Sequence, residues 1–287
     1  MLVIHDPRCS GYGSSMRPEQ PSRVVKTAEH LCEAFPGWTW EKPDDDVTDD
    51  VLLLAHTKGH LARLDMPGDF DPDTPYFPGI AAHARRSVAA ALKASRHALA
   101  TREPSFSLMR PPGHHATPDQ AMGFCYLNQV ATAALSARVH SGASRVAVWD
   151  FDAHHGNGTE DILRGRDGFL FCSVHQSPCY PGTGLRSQGN CRNRPVPPHA
   201  PRLAHMQALR ESLDEVVDFK PDLVLVSAGF DAYAGDPITE MTLEREDFEN
   251  LGKWLGESGL PAAAVLEGGY SAELPRLVAS FLSAWAG

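Results

Sequence analysis

Four dense polar clusters each follow directly on a short apolar run, and this pairing constrains the fold more than any other feature of the chain. Runs at 106–109, 146–152, 223–227 and 263–266 lead into Arg110-Pro-Pro-Gly-His-His115, Asp150-Phe-Asp-Ala-His-His-Gly-Asn-Gly158, Ser227-Ala-Gly-Phe-Asp231 and Leu266-Glu-Gly-Gly-Tyr270. Two more apolar runs lie at 2–5 and 169–174. All are short and mostly continuous rather than alternating, as expected of strands covered on both faces. Between them, amphipathic stretches predict helices over 22–35, 80–100, 124–141, 202–219, 246–257 and 274–285. Strands alternating with helices predict an α/β fold in three layers, a mostly parallel central sheet with helices on both faces. No repeat or linker divides the chain, so residues 1–287 read as one domain. Segments 66–79 and 179–201, rich in Pro, Gly, Asp and Asn, read as irregular loops. In open α/β sheets, sites lie beyond the carboxyl ends of the strands, where these clusters fall.

Composition excludes several function classes. A net charge of −10 and a pI near 5.7 supply no basic face for nucleic acid. No apolar stretch reaches the roughly 20 residues that cross a bilayer, and the N-terminus has no basic segment before its apolar run. The six cysteines form no Cys-x-x-Cys pair and read as reduced thiols. A cytoplasmic protein is the expectation. The sequence assigns no oligomeric state.

The cluster chemistry points to a metal. On an extended segment, Asp150, Asp152 and His154 share one face. A lone Asp at a strand end is ordinarily a cap or turn residue. Two carboxylates and an imidazole together, with Asp231 at another strand end, are costly to bury without a cation. Asp152, His154 and Asp231 offer three ligands and leave a position open, the arrangement of a catalytic site, with Asp150 orienting a neighbour. His114 and His115, beside such an ion, can move protons. The Tyr270 hydroxyl can donate to a developing oxyanion. Gly182-Thr-Gly184 lacks the Lys and the following helix of a phosphate loop.

Together with Gly123-Phe-Cys-Tyr-Leu-Asn128 and Tyr180-Pro-Gly-Thr-Gly184, these blocks resemble the histone deacetylase family, which includes acetylpolyamine amidohydrolases and, more distantly, arginases. The resemblance runs in family order from about residue 107 to 271 and implies an arginase/deacetylase fold with a tunnel to one zinc, or iron(II) in its place. By matched position it implies Asp152, His154 and Asp231 as metal ligands and His115 as general base and acid. His114 would be its electrostatic partner. Asp150 and Asn157 would orient the two histidines, and Tyr270 would hold the oxyanion. Gly123, Phe124 and Tyr180 resemble tunnel walls and Ile238 a mouth position. Asp71 resembles the rim aspartate, with Asp73 as its competitor. Asp150 and Ser173 match a K⁺ or Na⁺ site.

Departures sharpen the resemblance. Gly156 and Tyr233 stand where arginases carry the aspartates of a second metal, which disfavours guanidine hydrolysis. Asn157 stands where some deacetylases have Asp. Arg17-Pro-Glu19 stands where His-Pro-Glu is frequent. The leading expectation is an acyl-lysine deacylase or related small-amide deacetylase, acting on an acylated amine. An acetylpolyamine substrate is the alternative, with Glu240 near enough to the mouth to keep it open. A non-catalytic acyl-lysine-binding module is the reading from another class, and it predicts a damaged constellation.

Overall fold

The computed structural model describes residues 1–44 and 47–287. Its strands are β1 (Leu2–Ile4), β2 (Thr39–Glu41), β3 (Ser105–Ser107), β4 (Val146–Asp150), β5 (Phe169–Gln176), β6 (Cys191–Val196), β7 (Leu223–Ala228) and β8 (Ala262–Leu266). They form one sheet in the order β2-β1-β3-β8-β7-β4-β5-β6, with every neighbouring pair parallel. The helices are α1 (Ser22–Ala34), α2 (Asp49–Leu52), α3 (Lys58–Leu64), α4 (Ile80–Thr101), α5 (Gln129–His140), α6 (Asn157–Leu163), α7 (Arg202–Asp218), α8 (Arg245–Glu257) and α9 (Leu274–Ala286).

Helices α4 and α5 pack together on one face, and α1, α8 and α9 pack together on the other. Helix α7 lies over β4, β5 and β6. Trp149 of β4 shows how that second face closes. Its indole Nε1 donates to Ser212 Oγ of α7 at 2.9 Å, and its ring meets Phe151, which meets Phe281 of α9. Buried between two layers, β4, β5, β7 and β8 have no solvated face, which explains their continuous apolar runs. The four strands that carry the polar clusters, β3, β8, β7 and β4, are consecutive in the sheet though not in the sequence. Because all run parallel, their clusters meet at one edge.

Several boundaries differ from expectation. The helix expected over 124–141 begins at Gln129, because Gly123 and Phe124 adopt left-handed backbone (φ 55° and 68°) and Asn128 caps the helix, its side chain accepting from Ala131 N–H at 2.9 Å. The loop expected over 179–201 contains β6, an edge strand whose Arg192 and Arg194 side chains pair with Glu215 of α7. Its polar alternation reads as coil in isolation. Strand β2, α2, α3 and α6 are too short to show a period. Strand β4 ends at Asp150 rather than at 152, and Asp150 and Asp152 then turn the chain by accepting from the backbone N–H two residues on, at 3.1 and 2.8 Å.

His56 ties this frame to pH. Its Nε2 accepts from Asn128 N–H at 2.9 Å, so its proton sits on Nδ1, which donates to Thr117 O at 3.0 Å. The ring is therefore held neutral, and burial, with His60 beside it, depresses its pKa to about 3. The unfolded chain takes up this proton first as pH falls below the ordinary histidine value of about 6.5. Stability is thus lost from there down to about 3. Relative to pH 8, His56 should cost about 2 kcal/mol of stability at pH 5. Denaturant titrations at both pH values should show a smaller acid loss in His56→Gln than in the parent protein. Equal losses would remove His56 from the acid response.

Candidate active site

The loop after β3 is fixed from below before it presents its histidines. Arg110, fully buried, pairs with Glu19, donates to Cys9 O at 3.1 Å and lies 4.2 Å over the Tyr12 ring. Glu267, just past β8, accepts from the backbone N–H of Gly113 at 2.7 Å and of His114 at 3.2 Å. Glu19 also meets Arg23 at 3.4 Å, and Arg23 donates Nε to Gly269 O at 2.7 Å while lying 4.7 Å from the Tyr270 ring. One buried acid–base network therefore braces both the His114–His115 turn and the Tyr270 turn. Asp236 completes it by accepting from the backbone N–H of Tyr270 at 2.7 Å and of Ile238 at 3.1 Å.

Asp152, His154 and Asp231, all buried, bring one ligand atom each to within 4.8 Å of one another. His154 Nδ1 lies 2.9 Å from Asp231 Oδ2 and 3.2 Å from Asp152 Oδ1. Their remaining oxygens are held by backbone: Asp231 Oδ1 accepts from Ala153 N–H at 2.8 Å and Asp152 Oδ2 from Gly268 N–H at 2.7 Å. A Cβ at Gly268 would run into both carboxylates. Burial and the neighbouring Asp152 charge raise the Asp231 pKa. The His154 pKa is lifted well above its usual value against burial, chiefly by Asp231. Two adjoining buried carboxylates whose stability depends on a cation between them fit a divalent metal with hard and borderline donors. Among the described residues this is the one such group. Gly156 is packed against the Asp150 carboxylate and His114, with no room for a ligand side chain, and Tyr233 offers none. The described residues thus offer ligands for one ion and none for a second.

Around this group the predicted partners assemble. His114 Nδ1 lies 3.1 Å from Asp150 Oδ2. Burial lowers its pKa, but Asp152 and Asp150 overcome that and bring it to about 10. His115 Nδ1 lies 2.7 Å from Asn157 Oδ1, and the Asn157 amide Nδ2 donates to His115 O at 3.3 Å. That second bond fixes the amide orientation, so Nδ1 of His115 carries the hydrogen and Nε2 keeps its lone pair. Burial, with His114 and His154 beside it, drives the His115 pKa well below normal. Burial raises the Tyr270 pKa far above normal, with Asp231 and Asp152 adding to it against Arg23. Its phenol stays protonated. Ser173 is the register partner of Asp150 and shares a hydrogen bond with His175 Nδ1 at 2.9 Å.

A cavity of about 400 Å³ opens over these groups, reaching His115, His154 and Tyr270. Gly123, Phe124 and Tyr180 form its walls, with Ile238 among its lining residues. Tyr180 stands edge-on to His115 at 5.1 Å and Phe124 to Tyr270 at 5.8 Å. The left-handed Gly123–Phe124 turn is pinned by Asp71 Oδ2, which accepts from Gly123 N–H at 3.2 Å, and by Thr74 Oγ1, which accepts from Phe124 N–H at 3.0 Å. Asp71 is thus engaged inward, while Asp73 lines the cavity. Arg17, Pro18 and Cys179 line it as well and were not singled out as wall residues from sequence. Nor were the supports Arg23, Asp236 and Glu267. Glu267 lies within Leu266-Glu-Gly-Gly-Tyr270 and Glu19 follows Arg17-Pro18, but neither segment reveals which strand ends it will meet.

Residues 17–285 match the family model described as histone deacetylase domain. The chain belongs to the histone deacetylase family. A probable deacetylase of Methanothermobacter thermautotrophicus is 36% identical over 95% of this chain and 86% of its own length. Acetylpolyamine amidohydrolase 1 of Pseudomonas aeruginosa is 36% identical over 85% of this chain and 75% of its own. The solved HD domain of HDA15 superposes with a TM-score of 0.92 at 30% identity, covering all of this chain and 91% of that one. This deacetylase is accordingly a hydrolytic enzyme acting on amide bonds, in the fold that its strand and helix pattern predicts.

Proposed function

We propose that this deacetylase cleaves an acyl-lysine or a related small acylated amine, releasing a carboxylate and the free amine. It would use one zinc ion, or iron(II), held by Asp152, His154 and Asp231. The reading is carried by one observation: a single cavity is lined by His154 of the buried Asp152–His154–Asp231 group, by the His115 imidazole and by the Tyr270 phenol. A bound divalent ion supplies Lewis acidity for the amide carbonyl and lowers the pKa of water.

The chain's own residues do the rest. His115, with Nδ1 tied to Asn157, presents Nε2 to take the proton of the attacking water and to return it to the departing amine nitrogen. His114, held charged by Asp150 and Asp152, keeps His115 weakly basic and so ready to give the proton back. Tyr270 donates its hydroxyl hydrogen to the oxygen that becomes negative. Phe124 and Tyr180 exclude water beside an aliphatic tether. Asp150 and Ser173, buried neighbours on β4 and β5, suit a K⁺ or Na⁺ ion. All six cysteines are free, in keeping with a reducing, cytoplasmic setting. Residues 1–287 act in this reading as one catalytic domain.

Tyr270→Phe tests the reading. Turnover on an acetyl-lysine substrate should fall about 10²–10³-fold while the bound metal remains. An unchanged rate would take Tyr270 out of the chemistry. An acetylpolyamine substrate is the second reading, supported by Asp73 in the cavity lining and by the Pseudomonas relative of that name.

A further inference from the structure

Arg17 lines the catalytic cavity together with Asp73. It sits at the open end, where its Nη1 donates to Pro72 O at 3.2 Å in an exposed contact. That bond uses one of the five N–H donors of a guanidinium and places the group beside the 71–73 loop. Among the described residues Arg17 pairs with no carboxylate, Asp73 included, although most arginines of this chain have acidic partners. Asp73 likewise joins no ion pair; its loop is closed by its own N–H donating to Asp71 Oδ1 at 2.8 Å. Among the described residues, the cavity lining thus carries a guanidinium and a carboxylate that join no ion pair, Arg17 and Asp73, with the Asp71 carboxylate turned to Gly123 N–H behind them, while the catalytic groups lie inward. An amide whose acyl end reaches those groups leaves its amine portion at the mouth.

We infer that Arg17 selects substrates whose amine portion ends in a carboxylate, as in a free or C-terminal acyl-lysine, over amines that lack one. The inference rests on the amide-hydrolysis reading above and specifies its substrate class. The physical ground is the planar fork of arginine, which matches a carboxylate with two parallel hydrogen bonds. Asp73 faces the same space and can take up an α-ammonium group, so the pair suits a zwitterionic amino-acid end. A polyamine offers nothing to Arg17 and meets a like charge there.

The test compares Nε-acetyl-lysine, Nε-acetyl-lysinamide and N-acetylcadaverine, acetamides that share a tether and differ in the carboxylate. Zinc-loaded protein should show a kcat/KM for Nε-acetyl-lysine about ten- to a hundredfold above the other two. Arg17→Gln should erase most of that preference and Arg17→Lys should retain part of it. Hydrolysis of the lysinamide in each sample reports that the variant is folded. Equal rates on the three amides, or a preference intact in Arg17→Gln, would overturn the role of Arg17 and leave amide hydrolysis standing. Equal wild-type rates overturn that role even if a variant fails to fold, and Arg17→Lys serves as the second variant. Hydrolysis of none of the three would instead defeat the amide reading, and the selection with it.

Discussion

His115→Ala should lose about 10²–10⁴ of turnover while keeping its metal and its fold. The expectation follows from how completely the ring is specified. Asn157 dictates which nitrogen carries hydrogen, and the carbonyl of His115 dictates which way Asn157 points. The imidazole contacts Tyr180 edge-on and stands 4.0 Å from His114, centroid to centroid. Truncation removes, among the described residues that line the cavity, the one imidazole whose pKa lies below its usual value. His114 cannot replace it, because Asp150 and Asp152 hold it protonated with a pKa of about 10. Rates and metal content measured on the same preparation check the point. A His115→Ala enzyme within tenfold of the parent would assign proton transfer elsewhere.

Asp231→Asn should fall to background in both metal content and hydrolysis. The amide can still accept from Ala153 N–H, as Asp231 Oδ1 does at 2.8 Å, so the loop after β4 keeps that support. What disappears is one of the two carboxylates of the Asp152–His154–Asp231 group. The remaining Asp152 carboxylate is partly neutralised by His114, whose ring lies 3.8 Å away, so little is left to draw in a divalent ion. Mass spectrometry of native protein gives the metal per chain, and amide hydrolysis gives the consequence. Full zinc occupancy with normal turnover in Asp231→Asn would exclude it as a ligand.

The fold and the site are most legible in the sequence where several signals coincide. Continuous apolar runs read as covered strands, and polar residues just beyond them read as a site, because a parallel sheet places every carboxyl end on one edge. Asp152, His154 and Asp231 converge as that argument expects, although the strand alternation invoked for them stops at Asp150 and side-chain-capped turns complete the job. Elements without an autonomous signal escaped. β6 depends on side-chain pairing with α7, and the start of α5 is displaced by the left-handed Gly123–Phe124 turn. The supports escaped for a related reason. Glu19, Arg23, Asp236 and Glu267 act through contacts between distant segments, such as Arg23 with Gly269, which spacing along the chain cannot reveal. Asp71 and Asp73 are two residues apart, and only the fold distinguishes the one that accepts from Gly123 from the one that lines the cavity.

Amide hydrolysis by this enzyme should depend on a single metal held by Asp152, His154 and Asp231, and titration of chelator-stripped protein with zinc measures that dependence. Hydrolysis of an acetyl-lysine substrate should be absent at the start, rise linearly with added zinc and reach its plateau at one ion per chain. Full activity in metal-free protein, or a plateau only at two ions per chain, would contradict it.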